Sequence, residues 1–217
     1  MEMAVQRPVP EGRKQQVSAW GWPDELKSWT WPGHEGKTLT VKVYSQAGQV
    51  RLLLNGREIA VKPVSVETRF KAEFDVPYAP GELKAVALKD GNPIAEMTLK
   101  TAGAPASLRL KADRQSLRPD RNDLAYVTLE VLDQAGNAVP DAAVLVSFEI
   151  SGAGELAATG TANPKDVRSF RQPRPTTFHG KCLAIVRPTG SAGSITLRAE
   201  SAGLSPARLV LKVREAT

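Results

Sequence analysis

The chain of 217 residues has one cysteine, Cys182, and only two histidines, His34 and His179. A lone thiol excludes an intrachain disulfide and a cysteine-built metal site. Two histidines far apart in sequence offer little more, so no metal and no cofactor are expected. No apolar run is long enough to cross a bilayer as a helix, which speaks against a membrane-spanning segment. Residues 1–16, MEMAVQRPVPEGRKQQ, lack the apolar stretch and small-residue cleavage site of a signal peptide, and read as a linker or the tail of an upstream domain. A GxSxG elbow, a phosphate loop, a dinucleotide fingerprint and an HExxH helix are all missing, so no catalytic residue is assigned. A dense basic run is missing too. The 29 Lys and Arg residues are scattered among 23 Asp and Glu, for a net charge of +6. The most basic stretch, RSFRQPR at 168–174, is short and proline-broken, and reads as solvated surface rather than a nucleic-acid site.

What the sequence does have is alternation. Leu39, Val41 and Val43 share one side of residues 38–44. Phe70, Ala72, Phe74 and Val76 do so in 70–76, and Ala125, Val127, Leu129 and Val131 in 125–131. Val144, Val146, Phe148 and Ile150 repeat the pattern, and Leu209, Leu211 and Val213 close the chain with it. Period two is the signature of strands with one buried face. Turn signals separate these runs. Asn55-Gly56 is the pair that a type I′ hairpin favours. Lys89-Asp90-Gly91-Asn92 and the stretch 133–137 fall in similar places. No stretch holds helical periodicity over three turns. Many short strands with frequent turns predict an all-β chain of two tandem immunoglobulin-like antiparallel β-sandwich domains. Small residues and a proline at 101–105 place the boundary, giving domains at 17–102 and 103–217. A polar insertion at 152–177 interrupts the second. Cys182, inside the apolar run 182–186, is expected to be a buried hydrophobe.

All four tryptophans fall within residues 20–31, as two pairs with spacing two: Trp20 and Trp22, Trp29 and Trp31. In extended chain each pair turns its rings to one side. Such rings stack on sugar faces, with His34, Glu35 or Asp24 bonding hydroxyls, or they cap a sandwich core. Trp29, Trp31, His34 and Glu35 are therefore the candidate carbohydrate-binding residues. His34-Glu35 alone does not make an acid/base pair, because no second carboxylate is placed opposite. Asp113, Asp120, Asp123 and Asp133 could supply oxygens to calcium, but turn and strand-end roles explain them as well.

The stretches WTWPGHEGK (29–37), VRLLLNG (50–56) and YAPGELKAVA (78–87), in that order, resemble an accessory domain that follows the catalytic barrel in glycoside hydrolase family 2. ASLRL (106–110), VTLEVLD (127–133), Gly136, Val139-Pro140 and HGKCLAIV (179–186) are similar to the invasin-like immunoglobulin domain that comes next in bacterial members. The chain departs from relatives at GTANPKD (160–166), where a Gly-Asn-Gly-Asp-Pro-like turn is usual. The resemblance implies a parent β-galactosidase or related exo-glycosidase of the Bacteroidetes, periplasmic or secreted. Its partners would be the upstream barrel of the same polypeptide and a glycan, with no nucleic acid and no membrane. The two catalytic glutamates of such a parent would lie on that barrel, so none transfers to this chain. Three roles are expected to compete: accessory domains of the glycosidase, a carbohydrate-binding module reading sugar with exposed Trp29 or Trp31, and cell-surface adhesin-type immunoglobulin domains.

Overall fold

The computed structural model describes residues 1–14, 16, 19, 21 and 23–215. No helix forms among them; the described residues build sixteen strands in two compact units, Met1–Thr101 and Ala102–Thr217. Along the chain, the first unit holds β1 (Glu2–Gln6), β2 (Glu25–Leu26), β3 (Thr38–Tyr44), β4 (Gln49–Leu54), β5 (Arg57–Pro63), β6 (Lys71–Pro77), β7 (Glu82–Lys89) and β8 (Asn92–Lys100). They form two four-stranded antiparallel sheets, in the orders β2-β1-β3-β6 and β5-β4-β7-β8. The alternating residues are the reason. Val41 of β3 sits opposite Val5 and Phe74, and all three are buried. From the other sheet Leu52, Leu83 and Ala85 close the same core. Each fully buried aliphatic or aromatic side chain of this kind contributes about 1.5–3 kcal/mol.

Both two-residue turns follow from their sequence. Asn55 and Gly56 have φ of 50° and 78°, and Asp90 and Gly91 have 50° and 79°. Positive φ at both central positions is the type I′ geometry that joins twisted strands tightly. Phe70 departs from the alternation. It precedes β6 with φ of 55° and is 40% exposed, because the chain turns at Arg69-Phe70 before the strand begins.

The opening residues are not a linker throughout. Glu2–Gln6 is strand β1, seated between β2 and β3, with Met3 and Val5 fully buried. Its alternation covers only five residues and runs into Pro8 and Pro10, which gave it the look of a tail. Lys42 Nζ, at 2.6 Å from Glu25 Oε1, fastens the short β2 to the same sheet.

The second unit holds β9 (Pro105–Ala112), β10 (Ser116–Leu117), β11 (Ala125–Asp133), β12 (Ser147–Gly152), β13 (Gly154–Gly160), β14 (Lys181–Pro188), β15 (Gly193–Glu200) and β16 (Ala207–Val213). Its sheets run β13-β14-β11-β9 and β10-β16-β15-β12. All pairings between named strands are antiparallel except β10 with β16, which is parallel. Val127, Leu129 and Val131 of β11 face Leu197, Leu211 and Phe148 across a buried apolar core. Gly152 makes the corner from one sheet to the other. Its φ is 92°, and a Cβ there would lie 2.1 Å from the Ser194 carbonyl oxygen. Only glycine fits.

The insertion expected over 152–177 is shorter at its start and partly structural. Residues 154–160 are strand β13, and irregular chain occupies 161–180. The apolar alternation of 144–150 likewise enters its strand only at Ser147.

Candidate functional site

The tryptophan segment leads straight into β3. Trp29 is fully buried and Trp31 is 6% exposed, so spacing two does turn both rings to one side, and that side is the core. Trp29 meets Tyr78 edge to face, with ring centres 5.1 Å apart at 72°. Its Nε1 donates to the Ala79 carbonyl at 3.0 Å. Trp31 Nε1 donates to the Ser28 carbonyl at 3.2 Å, and its backbone N–H to Tyr78 Oη at 3.1 Å. Thr101 Oγ1 donates to the Trp29 carbonyl at 2.6 Å and accepts from Gly81 N–H at 3.0 Å. Both indole N–H groups are thus used inside the unit. The reading of Trp29 and Trp31 as exposed sugar platforms does not hold in this structure, because no ring face remains open to stack on. Trp20 and Trp22 lie outside the described residues.

His34 and Glu35 sit on the turn that carries the chain from Trp31 to β3. His34 N–H donates to the Trp31 carbonyl at 3.1 Å, and its own carbonyl accepts from Lys37 N–H at 3.0 Å. Glu35 Oε1 accepts from Gly33 N–H at 3.3 Å, in the open. Asp24 pairs with Arg7 Nε at 3.1 Å. The four candidate residues share a segment, but it works as a clamp between β3 and the Tyr78 region.

The aspartates of the second unit are turn builders. Asp133 is 5% exposed and accepts from Gly103 N–H at 2.8 Å and from Asn137 N–H at 2.8 Å. These bonds, that from Gly103 foremost, hold its carboxyl below the ordinary 3.8. Asp123 accepts from Arg118 N–H at 2.8 Å, Asp113 from Tyr126 N–H at 2.8 Å, and Asp120 from Asn122 N–H at 2.9 Å. Among the described residues no three His, Cys, Asp or Glu side chains gather as metal ligands would. Cys182 is buried on β14, and burial pushes its thiol up to about 12.

Sequence reasoning passed over the hollow that loop 161–180 makes beside β13. Its volume is about 250 Å³. The loop is tied down at several points. Thr159 N–H donates to the Phe170 carbonyl at 2.6 Å, and Thr159 Oγ1 to the Gln172 carbonyl at 2.8 Å. On the other side Val146 and Phe148 donate N–H to the carbonyls of Pro175 and Pro173, both at 2.9 Å. The loop therefore bridges the free edges of β13 and β12, one from each sheet. At its tip Asp166 and Arg168 form a two-point pair, Nε–Oδ1 at 2.9 Å and Nη2–Oδ2 at 2.8 Å. That guanidinium draws the Asp166 carboxyl down to about 2. Phe170, 69% exposed, lines the hollow together with Thr161, Asn163 and Arg174. Arg174 also lines a wider, open hollow of about 620 Å³ formed with Leu145 and Glu200. The only sequence signal for it is RSFRQPR, whose arginines and phenylalanine fit a solvated surface equally well.

Comparison with known proteins adds the following. Residues 108–210 match the family model described as glycoside hydrolase family 2 C-terminal domain 5. Residues 36–95 match a domain family of unknown function, DUF4982. A β-galactosidase of Bacteroides ovatus is 38% identical over 86% of this chain, which spans 22% of that protein. A crystallised glycosyl hydrolase family 2 member from Bacteroides cellulosilyticus superposes with a TM-score of 0.88 at 36% identity, over 98% of this chain and 28% of its own. A β-glucuronidase of glycoside hydrolase family 2 superposes with a TM-score of 0.76 at 25% identity, over 88% of this chain and 20% of its own. The chain thus spans less than a third of each of these relatives.

Proposed function

Because this chain belongs to the C-terminal domains of glycoside hydrolase family 2, we propose that its two sandwiches are non-catalytic accessory domains of a longer glycosidase. The observation that carries the reading is one of coverage: 98% of this chain superposes on 28% of a family 2 member. The side chains agree with it. A retaining glycosidase needs two carboxyl groups about 5–5.5 Å apart across a cleft. Here Asp166 is consumed by Arg168, Glu155 by Arg121 and Arg187, and Asp133 by backbone N–H groups. The accessory role is to brace the catalytic barrel of the same polypeptide or to shape its substrate entrance, in the periplasm or outside the cell.

The relatives include a β-galactosidase and a β-glucuronidase; β-galactosidase is the activity we propose for the parent, on the stronger of the two likenesses. Assays of the purified chain on nitrophenyl galactoside and nitrophenyl glucuronide test the first part. No turnover is expected, and turnover that survives repurification overturns the accessory reading. Assays of the longer polypeptide on the same two substrates test the second, and preference for the glucuronide would replace galactosidase as the parent activity.

A further inference from the structure

Building on that glycosidase reading, we infer that the hollow under loop 161–180 is a binding site for an acidic sugar residue, of the uronic acid class. The volume is the first reason. About 250 Å³ admits one pyranose ring and little more, just below the usual range of ligand sites. The lining is the second. Gln172 and the side-chain NH2 of Asn163 supply amide groups, the Thr161 hydroxyl and Asn163 Oδ1 being used within the loop, while Phe170 gives an apolar face at the rim. Few convergent polar groups beside one exposed ring is the make-up of a site that orients a hydroxyl-rich ligand.

Charge is the third reason, and it selects the class. The one carboxylate at the hollow, Asp166, is already neutralised by Arg168 through two bonds of 2.9 and 2.8 Å. Arg174 at the rim has no hydrogen bond or ion pair to its side chain among the described residues, and neither has Arg171 on the same loop. An unspent guanidinium fork beside a polar hollow matches a carboxylate in two-point geometry. A neutral hexose would leave that fork in water. The backbone anchors at Phe170, Gln172, Pro173 and Pro175 hold the groups in place before any ligand arrives, which lowers the entropic cost of binding.

The test is titration of the 217-residue chain, followed through its backbone amide resonances, with sodium glucuronate, galactose and sodium acetate at matched ionic strength. Glucuronate is expected to shift amides of 161–175 with a millimolar midpoint. Arg174→Ala is expected to raise the midpoint by about fivefold or more, with Arg174→Lys falling between and Phe170→Ala weakening binding further. Both side chains are exposed, so the fold is retained, and an unchanged thermal midpoint checks this. Shifts absent up to about 50 mM glucuronate, equal shifts with acetate, a galactose midpoint as low as that of glucuronate, or an unchanged midpoint in Arg174→Ala would each overturn the assignment. Those results concern saccharide binding alone, whereas the accessory reading stands or falls on turnover.

Discussion

Trp29 and Trp31 put aromatic bulk where the first sandwich has most to lose. Replacing Trp29 by Ala removes a fully buried ring and its bond to Ala79, at an expected cost of about 3–5 kcal/mol. Trp29→Phe keeps most of the packing and strands one carbonyl, at about 1–2 kcal/mol. Urea unfolding should rank the two in that order, and equal midpoints would show that the indole bond contributes nothing. Asp133 makes the matching case in the second unit. Its carboxyl is held below 3.8 in the fold, so the unfolded chain binds the proton more readily. Its contribution is present above that unfolded value and fades as the pH drops through the lower folded one. Asp133→Ala leaves the N–H groups of Gly103 and Asn137 without their acceptor, at about 1–3 kcal/mol. Thermal midpoints should differ clearly at pH 7, and the gap should narrow as the pH falls below 3.8. A constant gap across that range would mean that charge has no part in the effect. Alternation at 29–31 was enough to tell that the two rings share a side. It could not tell what lay on that side, because core and ligand both demand flat apolar area. The Tyr78 hydroxyl and Ala79 carbonyl that decide the matter stand about fifty positions away.

Strands and turns were largely readable, since period two and Asn-Gly are local signals. Residues 38–44 and the Asn55-Gly56 turn fall where alternation and turn chemistry place them. The strand β1 was not readable, because five residues beside two prolines give too short a pattern. Nor was the role of loop 161–180, because its partners on β12 and β13 are set by tertiary approach. Gly81 is a test at this scale. Its φ is 133°, and a Cβ there would sit 1.9 Å from Asn55 Oδ1, the atom that accepts from Glu82 N–H at 2.8 Å. Gly81→Ala therefore strains the backbone and dislodges the side chain that links the β4–β5 turn to β7. A loss of about 2–4 kcal/mol is expected, larger than that of Gly56→Ala, which meets open space at φ 78°. The reverse order in denaturant midpoints would contradict this geometry. Shortening the loop distinguishes its two parts. Removing 162–169 leaves the edge-covering bonds in place and should leave the thermal midpoint nearly unchanged. Removing 170–176 bares two edges that carry unpaired N–H and C=O groups, and aggregation on heating is expected, read by light scattering.

Each unit has its own apolar core and its own pair of sheets. A unit of some hundred residues is large enough to fold unaided. Residues 1–101 and residues 102–217, made separately, should each unfold cooperatively on heating. A half that gives no cooperative transition would show that its fold depends on the other. The first half must start at Met1, because a version beginning near residue 17 lacks β1 and opens the core at Val41 and Val43.

The edge-spanning loop has one more effect, on what change it tolerates over generations. The carbonyls of Pro173 and Pro175 accept bonds from β12 while their ring nitrogens offer none outward. The seam is sealed by backbone atoms that almost any neighbouring sequence supplies. Between Gly160 and Phe170 the chain is then free to lengthen, shorten or exchange its side chains without loosening the sandwich beneath. A lineage could remodel that tip alone and keep the rest of the architecture as inherited.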